Sequence, residues 1–286
     1  PGRVDRYSRP RRLPASLFVD GKTISPYGMV YPMDPRTSWV AGETLVGGWI
    51  STSNSATTEV MARAGFDYLC IDNQHGLIGY QDTASLLQVA ALGSSLPLVR
   101  VLSNNSGQIG RVLDAGAHGV IVPMVNSAPE AQTAVAACRY APGGIRSFGP
   151  NGVGLRDSGY YAGANRSVLC IPMIETVEAI GALDEILAVS GVDAIYVGPA
   201  DLSISLGLPP GNNDDDPTFM DALKTIVDAC GRHGVVAGIH ATPNLVTRRK
   251  EMGFQMITAV SDLSALRAGI AAARHSPDDQ GSRTGY

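Results

Sequence analysis

The sequence predicts a single-domain α/β protein of the (β/α)8, or TIM, barrel class. Three observations carry that expectation: eight short apolar runs with β-forming composition, helical spacing between them, and a glycine closing most of the helical stretches. Continuous apolar strands alternating with amphipathic helices imply a parallel sheet covered by helices, and eight such units imply closure. An open doubly wound sheet is the competing arrangement, but no GxGxxG follows the first strand.

Taken in order, the strands are expected at residues 46–51, 68–73, 97–101, 119–125, 168–175, 194–199, 235–241 and 255–262. Helical spacing is clear at 58–65 and 82–90. Gly65, Gly93, Gly116, Gly191, Gly234 and Gly253 precede the next strand, where a helix C′ residue belongs. Residues 1–40 read as a partly irregular arm, 41–275 as the barrel, and 276–286 as a flexible tail. Two connections are long. The stretch 141–166 precedes strand five, so its start belongs at the rim opposite the chemistry. The stretch 201–217 follows strand six directly, and its run Asp214, Asp215, Asp216 reads as a solvated turn capping the next helix.

A chain of 286 residues with 44% hydrophobic and 17% charged residues can bury a sizeable core. The net charge of −4 argues against a nucleic-acid-binding surface. The local arginine cluster Arg3, Arg6, Arg9, Arg11 and Arg12 reads as a solvated arm. No apolar run is long enough for a membrane span, and no signal-peptide core stands at the N-terminus. Cys70, Cys138, Cys170 and Cys230 form no CxxC pair, so reduced, packed thiols and a cytoplasmic location are expected.

In a parallel barrel the chemistry lies at the C-terminal ends of the strands. The carboxylates expected there are Asp72, Glu175, Asp201 and Asp262. Glu175 and Asp201 close adjacent strands about 4.8 Å apart, near enough to share one hard cation of the Mg²⁺ or Mn²⁺ type. The same pair is equally compatible with capping the helices that follow. Arg100 sits inside an apolar third strand and should point into the mouth to meet an anion, with a structural ion pair as the alternative. His75 lies three residues after Asp72, a pairing suited to general acid–base work. His240, ending strand seven, competes as a residue of the substrate wall, whereas His118 and His233 fall at the stability face.

Lysine occurs only at positions 22, 224 and 250, none near a strand's C-terminal end. A Schiff-base mechanism is therefore poorly supported, and carbanion chemistry would need another electron sink, most simply a metal ion.

Six short segments in order resemble the HpcH/HpaI aldolase family over residues 42–274. They are Ala64-Gly65-Phe66-Asp67-Tyr68 leading to Ile71-Asp72-Asn73-Gln74-His75-Gly76; Pro97-Leu98-Val99-Arg100; Val122-Pro123-Met124-Val125; Tyr140-Ala141-Pro142-Gly143-Gly144-Ile145-Arg146-Ser147; Ile174-Glu175-Thr176; and Gly198-Pro199-Ala200-Asp201-Leu202-Ser203. The resemblance implies that Glu175 and Asp201 bind a divalent metal, Mg²⁺ first and Mn²⁺ or Co²⁺ next. It further implies that Arg100 steadies an enolate and that the His75–Asp72 pair handles the proton. A pyruvate-like 2-oxo acid would chelate the metal, its carboxylate near the backbone amides of Ala200 and Asp201, with Met173, Pro199 and His240 in the substrate wall. A homo-oligomer, a hexamer in the family, would form by exchange of a C-terminal helix, for which 264–274 could serve, although ordinary barrel closure by the eighth helix explains that segment equally well. Three departures stand out: Gln74 where many members have Glu, Met173 where many have Gln, and an arm, 1–39, without the usual lead-in helix.

The expected activity is a metal-dependent (class II) aldolase joining or splitting a 2-oxo acid and an aldehyde or other acceptor. Two alternatives stay open. Residues 145–150 resemble a branch that decarboxylates oxaloacetate and captures the enolate in a new carbon–carbon bond, as macrophomate synthase does. A barrel that binds 2-oxo acids without turnover is the non-enzyme reading.

Overall fold

In a computed structural model, residues 34–275 and three short strands of the N-terminal arm are described. The arginine cluster and the tail at 276–286 lie outside the described residues.

Eight parallel strands close into a barrel. They are β1 (Leu45–Ile50), β2 (Tyr68–Asp72), β3 (Leu96–Arg100), β4 (Gly119–Val122), β5 (Leu169–Ile174), β6 (Ala194–Val197), β7 (Val236–His240) and β8 (Met256–Ser261). Each pairs with its sequence neighbours, and β8 closes the ring on β1 with a register shift between Thr258 and Val260. All eight expected strands are present, each within about three residues of its expected bounds. Helices such as Ser55–Arg63, Tyr80–Ala90 and Ser106–Ala115 cover the outer surface. Of the six helix-ending glycines, Gly65, Gly116, Gly191, Gly234 and Gly253 adopt the left-handed conformation. Gly93 does not: a Cβ there would strike the Ala62 carbonyl, so close packing accounts for it.

The two-residue period of each strand sorts its side chains into an outer and an inner layer. On β2, Leu69 and Ile71 face the helices, while Tyr68 and Cys70 fill the barrel. On β3, Val99 faces out, while Leu96 and Leu98 face in. Continuing the inward parity to the C-terminal ends gives Asp72, Arg100, Glu175 and His240. The barrel centre is polar. The hydroxyls of Tyr68 and Tyr196 both meet Thr258 Oγ1, at 2.9 and 2.6 Å. Gly47 makes room for the Tyr68 ring and Gly238 for that of Tyr196.

Two local expectations are corrected. The arm does end in a lead-in helix, Pro35–Val40, capped by Asp34. It closes the barrel floor: Trp39 Nε1 donates to the Gln255 carbonyl at 3.2 Å, and Arg36 pairs with Asp193 at 2.8 Å. Nor is the aspartate run simply solvated. Asp216 caps helix Pro217–His233, but Asp214 forms a two-armed ion pair with Arg249, which is wholly buried. The last helix, Asp262–His275, leaves its residues from 264 to 274 exposed.

The long connection before β5 stays at the N-terminal rim, as topology requires. There Arg146 is buried between Asp114, at 2.7 Å, and the Tyr160 hydroxyl, at 2.8 Å. All four cysteines are free and buried. Among the described residues no helix is long and apolar enough to cross a membrane.

Candidate active site at the barrel mouth

A cavity of about 320 Å³ opens at the C-terminal end of the barrel, lined by Trp49, His75, Arg100, Met173, Tyr196, Gly198, Pro199, Ala200, Asp201, Gly211, Asn212 and His240. It gathers most of the residues the sequence singles out. Asp72 and Glu175 stand just behind this wall, touching it through Arg100 and Gly198 respectively.

Trp49 connects the barrel filling to the mouth. Its ring stacks on Tyr196 at 5.7 Å, takes the Arg100 guanidinium over its face at 5.1 Å, and meets the His240 ring edge-on at 5.1 Å. Arg100 is further fixed by Asp72 through two parallel hydrogen bonds, Nε to Oδ1 at 2.8 Å and Nη2 to Oδ2 at 2.6 Å. Both alternatives weighed for Arg100 are thus combined: it makes a structural ion pair and still lines the mouth. Burial pushes the Asp72 carboxyl up, but Arg100 outweighs it and holds the group below the usual carboxylate range.

Asp72 also receives the backbone amides of Gln74, at 3.0 Å, and His75, at 3.3 Å. Its contact with His75 therefore runs through the main chain, fixing the loop that carries the imidazole to the cavity. Its carboxylate is otherwise occupied by Arg100. The structural role of Asp72 is to anchor both the cation and the loop.

Glu175 follows β5 and is buried. It does not cap the next helix; Thr176 does, accepting from Ala179 N at 3.0 Å. That frees the Glu175 carboxylate to turn inward. Its Oε1 accepts the Met124 amide at 2.8 Å, while Oε2 is buried with no partner among the described residues. Burial pushes this carboxyl up to about 7; the Met124 amide opposes the shift and the nearby Asp201 charge adds to it. Asp201 lies in the first turn of helix Pro199–Ser205, whose N-cap is Gly198. A Cβ on Gly198 would collide with Glu175 Oε2, so this glycine lets the Glu175 carboxylate lie against the start of the helix that carries Asp201.

A buried carboxylate oxygen without a donor is costly unless a proton or a cation satisfies it. Two carboxylates at an open mouth match the way Mg²⁺ is held, by one or two acidic side chains with the remaining positions left to water or substrate. Among the described residues no cluster of three or more His, Cys, Asp or Glu side chains forms a closed cage. The donor set fits an open, substrate-accepting cation site.

Asp262, the fourth rim carboxylate, is structural. It accepts the amides of Ser51 and Thr52, both at 3.0 Å, and the Thr52 hydroxyl at 2.6 Å, closing the β8–β1 seam. His240 is pushed down to about 4 by burial and then by the Arg100 charge, so it is neutral in the wall. His118 lies before β4 at the opposite end, where a second cavity of about 220 Å³ sits.

Sequence reasoning missed Trp49, Tyr196, Gly211 and Asn212, and met Gly198 and Met124 only as members of the matching segments. Parity on β1 and β6 would have found Trp49 and Tyr196. No local signal marks Asn212, which an arginine from a distant helix places.

Fold and site together define a (β/α)8 barrel with a carboxylate pair and a fixed arginine at its catalytic rim. The chain belongs to the HpcH/HpaI aldolase/citrate lyase family, whose model matches residues 45–268. It is 38% identical over 235 residues to a hydroxypyruvate/pyruvate aldolase of Rhizorhabdus wittichii, covering 82% of this chain and 94% of that one. Among solved structures it is similar to a family protein of Burkholderia cenocepacia, with TM-score 0.77 and 32% identity over 84% of this chain and 97% of that one. It is also similar to macrophomate synthase, with TM-score 0.73 and 27% identity over 86% and 93% of the two chains.

Proposed function

We propose that this chain is a divalent-metal-dependent aldolase that makes or breaks the carbon–carbon bond beside C3 of a 2-oxo acid through a pyruvate-type enolate. The observation that carries this reading is the buried, unpartnered Oε2 of Glu175 beside Asp201 at the barrel mouth. The named activity of the Rhizorhabdus relative supports the same substrate class.

Glu175 and Asp201 would hold the cation, Mg²⁺ foremost, with Mn²⁺ and Co²⁺ as substitutes. When bound, it supplies Lewis-acid stabilisation of negative charge developing on the oxo-acid oxygen. The chain's own residues do the rest. Arg100, immobilised by Asp72 and Trp49, presents fixed positive charge to the same oxygen without reorganising. The Ala200 and Asp201 amides face the substrate carboxylate, and Met173 and Pro199 exclude water beside it. In synthesis C3 gives a proton to His75, directly or through one water, leaving His75 protonated, and the electron pair left on C3 forms the bond to the acceptor carbonyl carbon as its C=O π pair moves onto oxygen. The acceptor oxygen then takes a proton from His75, directly or through one water. Cleavage reverses each step.

The test is hydrogen–deuterium exchange of the pyruvate methyl group, followed by NMR on metal-stripped and Mg²⁺-replete protein. Exchange should require the cation and fall about a hundredfold or more in Glu175→Gln and Asp201→Asn, since second-shell changes alone cost about 10- to 100-fold. Exchange at the wild-type rate after chelation overturns the reading. Binding of pyruvate without exchange under any metal would instead favour a non-catalytic barrel.

Likeness to macrophomate synthase favours a second reading, oxaloacetate decarboxylation followed by capture of the enolate. The segment 145–150 that suggested it is at the far rim, where Arg146 serves packing. Release of carbon dioxide from oxaloacetate, compared with aldehyde release from hydroxy-oxo acids, separates the two.

A homo-oligomer is part of the same proposal. The exposed helix Asp262–His275 carries Leu266 and Ile270, 60% and 52% exposed, as an apolar face for a second copy.

A further inference from the structure

The mouth has one wall that the oxo-acid machinery does not use, and it is built by a residue from elsewhere in the fold. Arg249, in helix Val246–Glu251 between β7 and β8, is completely buried yet reaches the loop that follows helix Pro199–Ser205. There it pairs with Asp214, Nη1 to Oδ2 at 3.0 Å, and donates through Nη2 to Asn212 Oδ1 at 2.9 Å.

That second contact fixes which way the Asn212 amide faces. A guanidinium has five donors and no acceptor, so only the carbonyl oxygen of Asn212 can meet it. The Nδ2 group must then turn away from Arg249. Asn212 lines the mouth cavity, and among the described residues its Nδ2 has no hydrogen-bond partner. The neighbouring Asn213 behaves differently, spending its own amide on Ser203 Oγ and the Pro209 carbonyl at 2.8 and 2.7 Å. The loop thus uses one asparagine to hold its shape and leaves the other with an oriented donor.

Glu175, Asp201 and Arg100 serve the oxo acid at the strand ends, whereas Asn212 stands on a partly exposed loop farther along the chain. We propose that Asn212 is a specificity-determining residue for the acceptor: its Nδ2 donates to an oxygen substituent beside the acceptor carbonyl, so that 2-hydroxyaldehydes are preferred to alkyl aldehydes of the same size. This inference rests on the aldolase reading above and adds the class of its second substrate.

Glycolaldehyde and propanal are near-isosteric and differ at the hydroxyl, which makes them the probe pair. With pyruvate as donor and Mg²⁺ present, the ratio of their kcat/KM values is measured in wild type, Asn212→Asp and Asn212→Leu. Asn212→Asp keeps an oxygen for Arg249 but replaces the donor with an acceptor; Asn212→Leu removes both. The wild-type ratio should favour glycolaldehyde and drop about five- to tenfold in each variant, the worth of one neutral hydrogen bond. Because the ratio is taken within each protein, a general loss of fold or of donor binding cancels. A wild-type ratio near one, or a ratio unchanged in both variants, overturns the role of Asn212. Pyruvate methyl exchange in the wild type is run alongside: its absence would sink the parent reading and this one together, while normal exchange with an unchanged ratio sinks only this one.

Discussion

The backbone amide of Met124 donates to Glu175 Oε1 at 2.8 Å, and Met124 reaches that position with φ at 55°, in the left-handed region. It is the one non-glycine residue with positive φ among the described residues. Such a conformation costs about 1–3 kcal/mol and persists when its surroundings demand it. Here the return is a carboxylate with one oxygen tied down and the other left without a donor.

Met124→Ile should therefore lose stability by about 1–3 kcal/mol, because a β-branched side chain tolerates positive φ poorly. Met124→Gly should keep the Glu175 contact and match or exceed wild-type stability. Urea unfolding of the three proteins checks this; an isoleucine variant as stable as wild type would contradict it.

The Asp72–Arg100 pair predicts an asymmetric response. Asp72→Ala strands a buried cation and should cost about 3–5 kcal/mol as well as activity. Arg100→Lys keeps the charge but cannot reproduce the two-armed contact, so pyruvate exchange should fall more than stability does. Thermal unfolding and the exchange rate, measured on the same samples, separate these losses.

Arg249→Met should also destabilise, by up to about 3–5 kcal/mol, since it leaves Asn212 Oδ1 without its donor and Asp214 with only the half-exposed Arg248 at 3.0 Å. Limited proteolysis is the local readout. Cleavage should appear first in the loop around 207–216, and cleavage elsewhere would argue against its anchoring role.

One part of the acid response has its sign set by His118. Burial, then the Arg156 charge, pushes this imidazole down to about 4, and its Nδ1 is buried without a partner. The unfolded chain binds the proton more readily, so this contribution to stability is complete above about pH 6.5 and is lost as pH falls towards 4. Comparing unfolding free energies of wild type and His118→Gln at pH 7.5 and pH 5 tests the assignment. The variant should show a shallower decline, and parallel curves would refute it.

Removing residues 265–286 should shift the oligomeric state while leaving barrel unfolding largely intact, because the described part of that segment is exposed. Light scattering reads the first effect and circular dichroism the second; an unchanged mass would remove the proposed exchange helix.

Much of this protein is local and was legible in the chain. Strand and helix periods set the barrel, and glycines at helix ends set the turns. Counting by two along each strand carries Asp72, Arg100, Glu175 and His240 to the inner face of one rim, because side chains alternate across a sheet whatever surrounds it. What alternation cannot state is which partners those side chains find. Asp72 is three residues from His75, yet its carboxylate is taken by Arg100 and by main-chain amides. The loop at 201–217 holds its own turn through Asn213 and Ser203, but its anchor comes from Arg249, some 35 residues on. Such contacts depend on distances between elements that only barrel closure sets, so the tertiary structure alone determined which carboxylate oxygen was left without a donor and which asparagine oxygen was taken by Arg249.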